Sequence, residues 1–176
     1  NVQADHTITA TFTPDPTSTV SASSPAGYVT TVATTQNVPV TLSRGTTTPM
    51  LGYSVTFQLS SGMTTVPANI TEGGFLTAGG GTTSFQVVDN GGGSYTVDGV
   101  TLGLPCGSPA TIGTLFTIPV GSTLLAGPGT VTITNVTVRD CSNATLASAI
   151  GTAATVQVDR STPSVAVTAP NGGETW

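Results

Sequence analysis

The chain contains no lysine. Three arginines, eight carboxylates and one histidine leave 6% of its 176 residues charged and a net charge of −5, where a soluble domain ordinarily carries about 25% charged residues. No basic patch exists to neutralise phosphates, which argues against nucleic acid and anionic membrane surfaces as partners. No Lys–Asn isopeptide cross-link can form within the chain. No run of about 18 apolar residues occurs, so no segment reads as a membrane-spanning helix. Aromatics are 5% of the chain with a single tryptophan, which leaves few rings to line a sugar-binding cleft.

What the chain has instead is hydroxyl. Threonine makes up about a fifth of the residues, the composition that exposed faces of β-strands select, and it supplies the solubility that charge does not. The length suits one sandwich with additional segments at its ends. Such a composition fits a secreted surface protein better than a cytosolic enzyme. Cys106 and Cys141 are the only cysteines; an even number favours a disulfide in an oxidising compartment, with two free buried thiols as the competing reading. No histidine stands near either cysteine, so a metal site there is disfavoured. The chain begins at Asn1 without initiator methionine or signal peptide and reads as a piece of a longer polypeptide.

Residues 50–60 hold the longest clean alternation. Leu51, Tyr53, Val55, Phe57 and Leu59 fall on one side of a period of two, and Ser54, Thr56, Gln58 and Ser60 on the other, the pattern of a strand with one buried face. Each large apolar side chain gains roughly 1.5–3 kcal/mol only when that face is covered, so a second sheet must lie over it. Further strands are expected at 6–13, 18–21, 28–32, 37–42, 75–77, 84–88, 94–102, 111–120, 130–139 and 152–158. Residues 6–13 alternate Ile8, Ala10 and Phe12 with threonines and end at Pro14 and Pro16. Residues 89–93, Asp-Asn-Gly-Gly-Gly, form a hairpin loop. Residues 111–120 and 130–139 are expected to pair through 121–129, and 146–150 to form a single helical turn. Val131 and Ile133 share one parity, Val136 and Val138 the other, which calls for a β-bulge between Thr134 and Asn135.

The order of these elements resembles a cohesin-like domain of the carbohydrate-binding and cohesin superfamily. The residues behind the resemblance are Val38-Pro39-Val40-Thr41-Leu42, Leu51-Gly52-Tyr53-Ser54-Val55-Thr56-Phe57 and Gly113-Thr114-Leu115-Phe116-Thr117-Ile118-Pro119-Val120. It implies an all-β jelly-roll sandwich over residues 17–160, and dockerin binding through one sheet face. Residues 1–16 resemble the last strand of modules related to internalin B-repeats, and 161–176, with Pro170-Asn171-Gly172-Gly173-Glu174-Thr175-Trp176, resemble the opening of a bacterial immunoglobulin-like module. The two flanks are therefore expected to be a terminal or donor strand and a linker with the first strand of a following module.

Catalysis is disfavoured. His6 stands beside no nucleophile motif and reads better as an exposed strand residue. Asp5, Asp15, Glu72, Asp89, Asp98, Asp140, Asp159 and Glu174 would have to supply two carboxylates roughly 5–9.5 Å apart across an aromatic cleft to hydrolyse a glycoside. No cofactor is called for. Asp89, Asn90 and Asp98 are candidate oxygen donors for Ca²⁺ in a hairpin mouth, although a plain turn explains them better. Tyr28, Tyr95 and Trp176 are the candidate sugar-stacking rings. Asn69, Asn135 and Asn143 each open an acceptor sequon for N-linked glycan, with chance occurrence in a Thr-rich chain as the competing reading.

Two functions follow. The leading expectation is a structural module of a secreted bacterial surface protein or extracellular filament, partnered by other copies of itself or by neighbouring modules. Its contact strands would carry Ile8, Ala10, Phe12, Val165 and Val167, adding head to tail to neighbouring sheets. The alternative is a cohesin-type recognition module that binds a dockerin or a carbohydrate, for which a sheet face must remain exposed.

Overall fold

Runs of threonine, valine and serine separated by glycine and proline build thirteen strands among residues 17–164, the part of the chain that the computed structural model describes. In chain order they are β1 Ser18–Ala22, β2 Tyr28–Val29, β3 Thr35–Ser43, β4 Met50–Leu59, β5 Met63–Thr64, β6 Thr71–Glu72, β7 Thr82–Gly91, β8 Ser94–Leu102, β9 Ile112–Ser122, β10 Ala126–Asp140, β11 Thr145–Leu146, β12 Ser148–Ile150 and β13 Ala154–Asp159. One sheet runs β12-β1-β3-β9-β5 with β6 also on β9; the other runs β2-β13-β10-β4-β8-β7 with β11 on β10. No helix among the described residues is long and apolar enough to cross a membrane.

The core is the space between the two sheets. β3 and β9 send down Val38, Val40, Leu42, Phe116, Ile118 and Val120, all fully buried. β4 answers with Tyr53, Val55, Phe57 and Leu59, and β10 with Val131, Ile133 and Val138. Phe57 sits at the centre, its ring 5.2 Å from Tyr95 on its own sheet and 6.2 Å from Phe116 on the facing one. This is the two-layer arrangement that the alternation of residues 50–60 requires.

Several expectations are corrected. Leu51 is half-buried and Met50 takes the core position, because the pairing with β10 skips Leu51: Arg139 faces Gly52 and Asp140 faces Met50. Residues 111–120 and 130–139 lie in opposite sheets, β9 on β3 and β10 on β4, so 121–129 crosses between layers instead of turning a hairpin. Residues 75–77 are not a strand; Phe75 and Leu76 are buried under a short 3₁₀ turn at Thr77–Gly79. The expected helical turn at 146–150 is extended, as β11 and β12. Only Tyr28–Val29 of 28–32 is strand. The bulge stands where the parity change places it, between Ile133 and Asn135. The hairpin at 89–93 closes on Gly92 and Gly93, both at positive φ (62° and 80°), which glycine adopts without cost. Residues 6–13, Val165 and Val167 lie outside the described residues, as do Asp5, His6, Asp15, Glu174 and Trp176.

Candidate functional site

β10, β4, β8 and β7 turn their inward residues to the core, and the same alternation turns a second set outward onto an open four-strand face. Register groups these outward residues into rungs. Thr137, Ser54, Asp98 and Gln86 form one; Asn135, Thr56, Thr96 and Val88 form the next; Arg139, Gly52, Val100 and Ser84 flank the first. Hydroxyls knit the face: Thr56 Oγ1 lies 3.1 Å from Thr96 Oγ1, and Asn90 Nδ2 donates to Thr96 Oγ1 at 2.9 Å.

A shallow depression of about 300 Å³ lies over the Asp98 rung and the Gly52 rung that flanks it, lined among others by Leu51, Gly52, Asp98, Gly99 and Arg139. Its floor is low at Gly52, which carries no side chain, while Gly99 beside it faces the core and leaves room for the Tyr53 ring. A Cβ on Gly52 would stand 2.6 Å from the Gly99 carbonyl oxygen, and one on Gly99 2.5 Å from Tyr53 Cζ. Beneath it Tyr53 donates its hydroxyl to the Leu115 carbonyl at 3.0 Å, bolting β4 to β9 across the core. Burial, reinforced by the charges of Glu72 and Asp98, holds the Tyr53 phenol far above its ordinary range.

Asp98 is the one charge in the middle of the face. The other described carboxylates are occupied locally. Asp89 accepts from the Gly91 N–H, Asp140 from the Ser142 and Ala144 N–H groups, Asp159 from Ser161, and Glu72 from the Thr83 hydroxyl. Hydrogen bonding from Ser161 lowers the Asp159 pKa. Asp98 accepts no side-chain hydrogen bond among the described residues, and Arg139 at the rim donates to the Asn143 carbonyl at 2.9 Å. The described carboxylates thus end local turns or stand apart and do not converge on a cleft.

The remaining candidates are dispersed. Asp89 pairs with Tyr95 and Asp98 with Gln86, so the two carboxylates sit at different heights of the β7–β8 hairpin, and no group of three His, Cys, Asp or Glu suited to a metal occurs among the described residues. Tyr95 is buried at 8% exposure against Phe57 and offers no ring to a sugar; Tyr28 is 53% exposed. Asn69, Asn135 and Asn143 are all exposed. Asn135 lies on the open face, Asn143 at the rim of its depression, and Asn69 beside a trough of about 710 Å³ on the opposite sheet. Cys106 and Cys141 are joined, with Cα atoms 6.0 Å apart. The face itself was not singled out by sequence reasoning, because its signal is the outward parity of Ser54, Thr56 and Gln58, residues with no charge and no motif.

No protein-family model matches the chain, and no curated protein matches it in sequence. Solved structures do resemble it. The seventh ScaB type I cohesin from Pseudobacteroides cellulosolvens has a TM-score of 0.65 at 11% identity over 84% of this chain and 95% of that one. A type I cohesin from Clostridium thermocellum, determined as a cohesin–dockerin complex, has 0.63 at 14% over 81% and 99%. A non-cellulosomal cohesin from the archaeon Archaeoglobus fulgidus has 0.55 at 16% over 81% and 91%. The fold is therefore the cohesin jelly-roll sandwich.

Proposed function

We propose that this chain is a non-catalytic, extracellular recognition module that docks a dockerin-like partner domain on the outer face of β10, β4, β8 and β7. The observation that carries the reading is that face: four strands wide, crossed by no other described segment along its three central rungs, and centred on a carboxylate with no local partner. It is supported by cohesin-fold neighbours, several of them solved with a dockerin bound. The disulfide fits the oxidising space outside the cell. A carbohydrate ligand has less support, since Tyr95 is buried and Tyr28 stands alone. The structural reading through Ile8, Ala10, Phe12, Val165 and Val167 concerns segments outside the described residues and needs a receiving edge of its own. Docking and glycan at Asn135 exclude one another, because both would use the same face, Asn135 standing one rung from Asp98; Asn69 on the other sheet is compatible with docking.

The test is titration calorimetry of the chain against a panel of dockerins, with Asp98→Arg as the face variant. The expected result is binding of at least one panel member, weakened at least tenfold by the variant, with intact mass showing Asn135 unmodified. A panel without binders, or binding indifferent to Asp98→Arg, overturns the assignment.

A further inference from the structure

Most of the sheet edges are short. β2, β5, β6 and β12 run two or three residues each. β7 runs ten, Thr82–Gly91, and pairs on one side with β8. Among the described residues no other segment's backbone bonds to its far side, so alternate N–H and C=O groups face outward along about 30 Å. Edges of this length are ordinarily guarded by lysine, proline or an inward-pointing charge. β7 reads Thr-Thr-Ser-Phe-Gln-Val-Val-Asp-Asn-Gly, with its one charge, Asp89, at the hairpin end. Its inward residues Phe85 and Val87 are only partly buried, because the layer stops there. One more strand would cover them.

The chain carries a segment of matching length and pattern outside the described residues. Residues 6–13, His-Thr-Ile-Thr-Ala-Thr-Phe-Thr, extend about 27 Å as a strand. In one orientation Ile8, Ala10 and Phe12 would continue the inner layer beside Phe85 and Val87, while the threonines would continue the polar surface of Ser84 and Gln86. The alternation around Val165 and Val167 is shorter and would fill about half the edge. We propose that residues 6–13 of one copy of this chain add as a strand to the β7 edge of a second copy.

A second copy is required by reach. β1 packs over β10, and β7 lies three strands from β10 within its sheet. A strand beyond β7 is then about 19 Å across the sheet from Ser18, with a further ~10 Å between layers. The five residue steps from Thr13 to Ser18 span at most about 18 Å, and they include Pro14 and Pro16. Each copy has one donor and one acceptor, so the contact is heterologous and propagates instead of closing. The proposal stands on the β7 edge and is independent of partner docking on the face.

Sedimentation velocity of the full chain tests it, with a donor variant (Ile8→Asp with Phe12→Asp) and an acceptor variant (Val87→Lys, an inward charge on the edge). The wild type is expected to associate with rising concentration, and each variant at least tenfold more weakly. Mixing the two variants should restore a dimer and nothing larger, since one retains the acceptor and the other the donor. Should Val87→Lys not fold, a synthetic peptide of residues 5–14 serves instead: it should cap wild-type assembly and slow amide exchange along Thr82–Val88 at least tenfold, leaving Ser148–Ile150 unchanged. A chain monomeric at every concentration, assembly indifferent to both variants and the peptide, or protection that falls elsewhere than β7 overturns the proposal.

Discussion

Tyr53 carries more of the sandwich than its neighbours on β4 because it is held at both ends. Its ring packs 6.2 Å from Phe116 and against Gly99, whose missing Cβ makes room for it, and its hydroxyl reaches the Leu115 carbonyl on the other sheet. Replacing it with Phe removes one of the two hydrogen bonds on the Leu115 carbonyl, which still accepts from the Gly73 N–H at 2.8 Å, a loss of about 0.5–1.5 kcal/mol at neutral pH. The same burial keeps the phenol protonated to well above its ordinary pKa. The unfolded chain releases that proton near pH 10, so the folded state binds more protons above that pH. The stabilisation is complete below about pH 10 and falls as pH rises, by up to about 1.4 kcal/mol per pH unit for one group. Tyr95 is raised in the same direction, by burial and then by Asp89, and keeps its own share. Urea unfolding between pH 8 and 11 should therefore show a steeper alkaline decline for the wild type than for Tyr53→Phe, the two curves converging. Parallel curves would show that this hydroxyl does not set the alkaline limit. Of this constellation the sequence showed the inward parity of Tyr53 but not its partner, since Leu115 is 62 residues away and offers only a main-chain oxygen.

At the scale of the element, β10 shows what periodicity reads and what it misses. Its bulge was legible because a parity change within one strand has few structural solutions. Its partners were not, because alternation assigns a residue to a face without naming the strand beside it; β9 and β10 are neighbours in sequence and lie in different layers. Short extended pieces such as β11 and β12 escaped notice for a related reason: two or three residues are too few to show a period. Parity nevertheless makes a quantitative prediction. Deleting Thr134 removes the extra residue and leaves Val131, Ile133, Val136 and Val138 all at inward parity. Deleting Thr132 forces either Val131 or Ile133 outward, at a cost of about 2 kcal/mol for the exposed side chain. The first deletion should therefore be the milder by about that amount in chemical denaturation. Equal losses would mean that the kink, with the Thr134 hydroxyl bonded to the Thr56 carbonyl at 3.2 Å, matters more than the side chains it aligns.

At the scale of the whole molecule, the weak point is the passage between layers at one end of the sandwich. β8 ends at Leu102 in one sheet and β9 begins at Ile112 in the other, and the stretch between them has little regular pairing beyond the bridge from Ser108 to Met50. Exposed Leu102, Leu104 and Ile112 lie along it at 50%, 90% and 72%, so hydrophobic burial does not hold it. The disulfide does. Cys106 in this crossing is tied to Cys141 just past the end of β10, 35 residues on, which fixes the crossing to the central sheet. The pairing was legible because the chain has two cysteines; its place in the fold was not, since that depends on which layers β9 and β10 occupy. Closing a loop of this length removes unfolded-state entropy worth about 4 kcal/mol on the chain-entropy model. The double variant Cys106→Ala with Cys141→Ala should thus lose about 3–4 kcal/mol in equilibrium unfolding, and reduction of the wild type should lose about the same. In native-state amide exchange the excess opening should concentrate in residues 103–111 and leave β3 and β4 protected. A loss below about 1 kcal/mol, or one spread evenly over both sheets, would show that the packed layers hold the crossing without the bond.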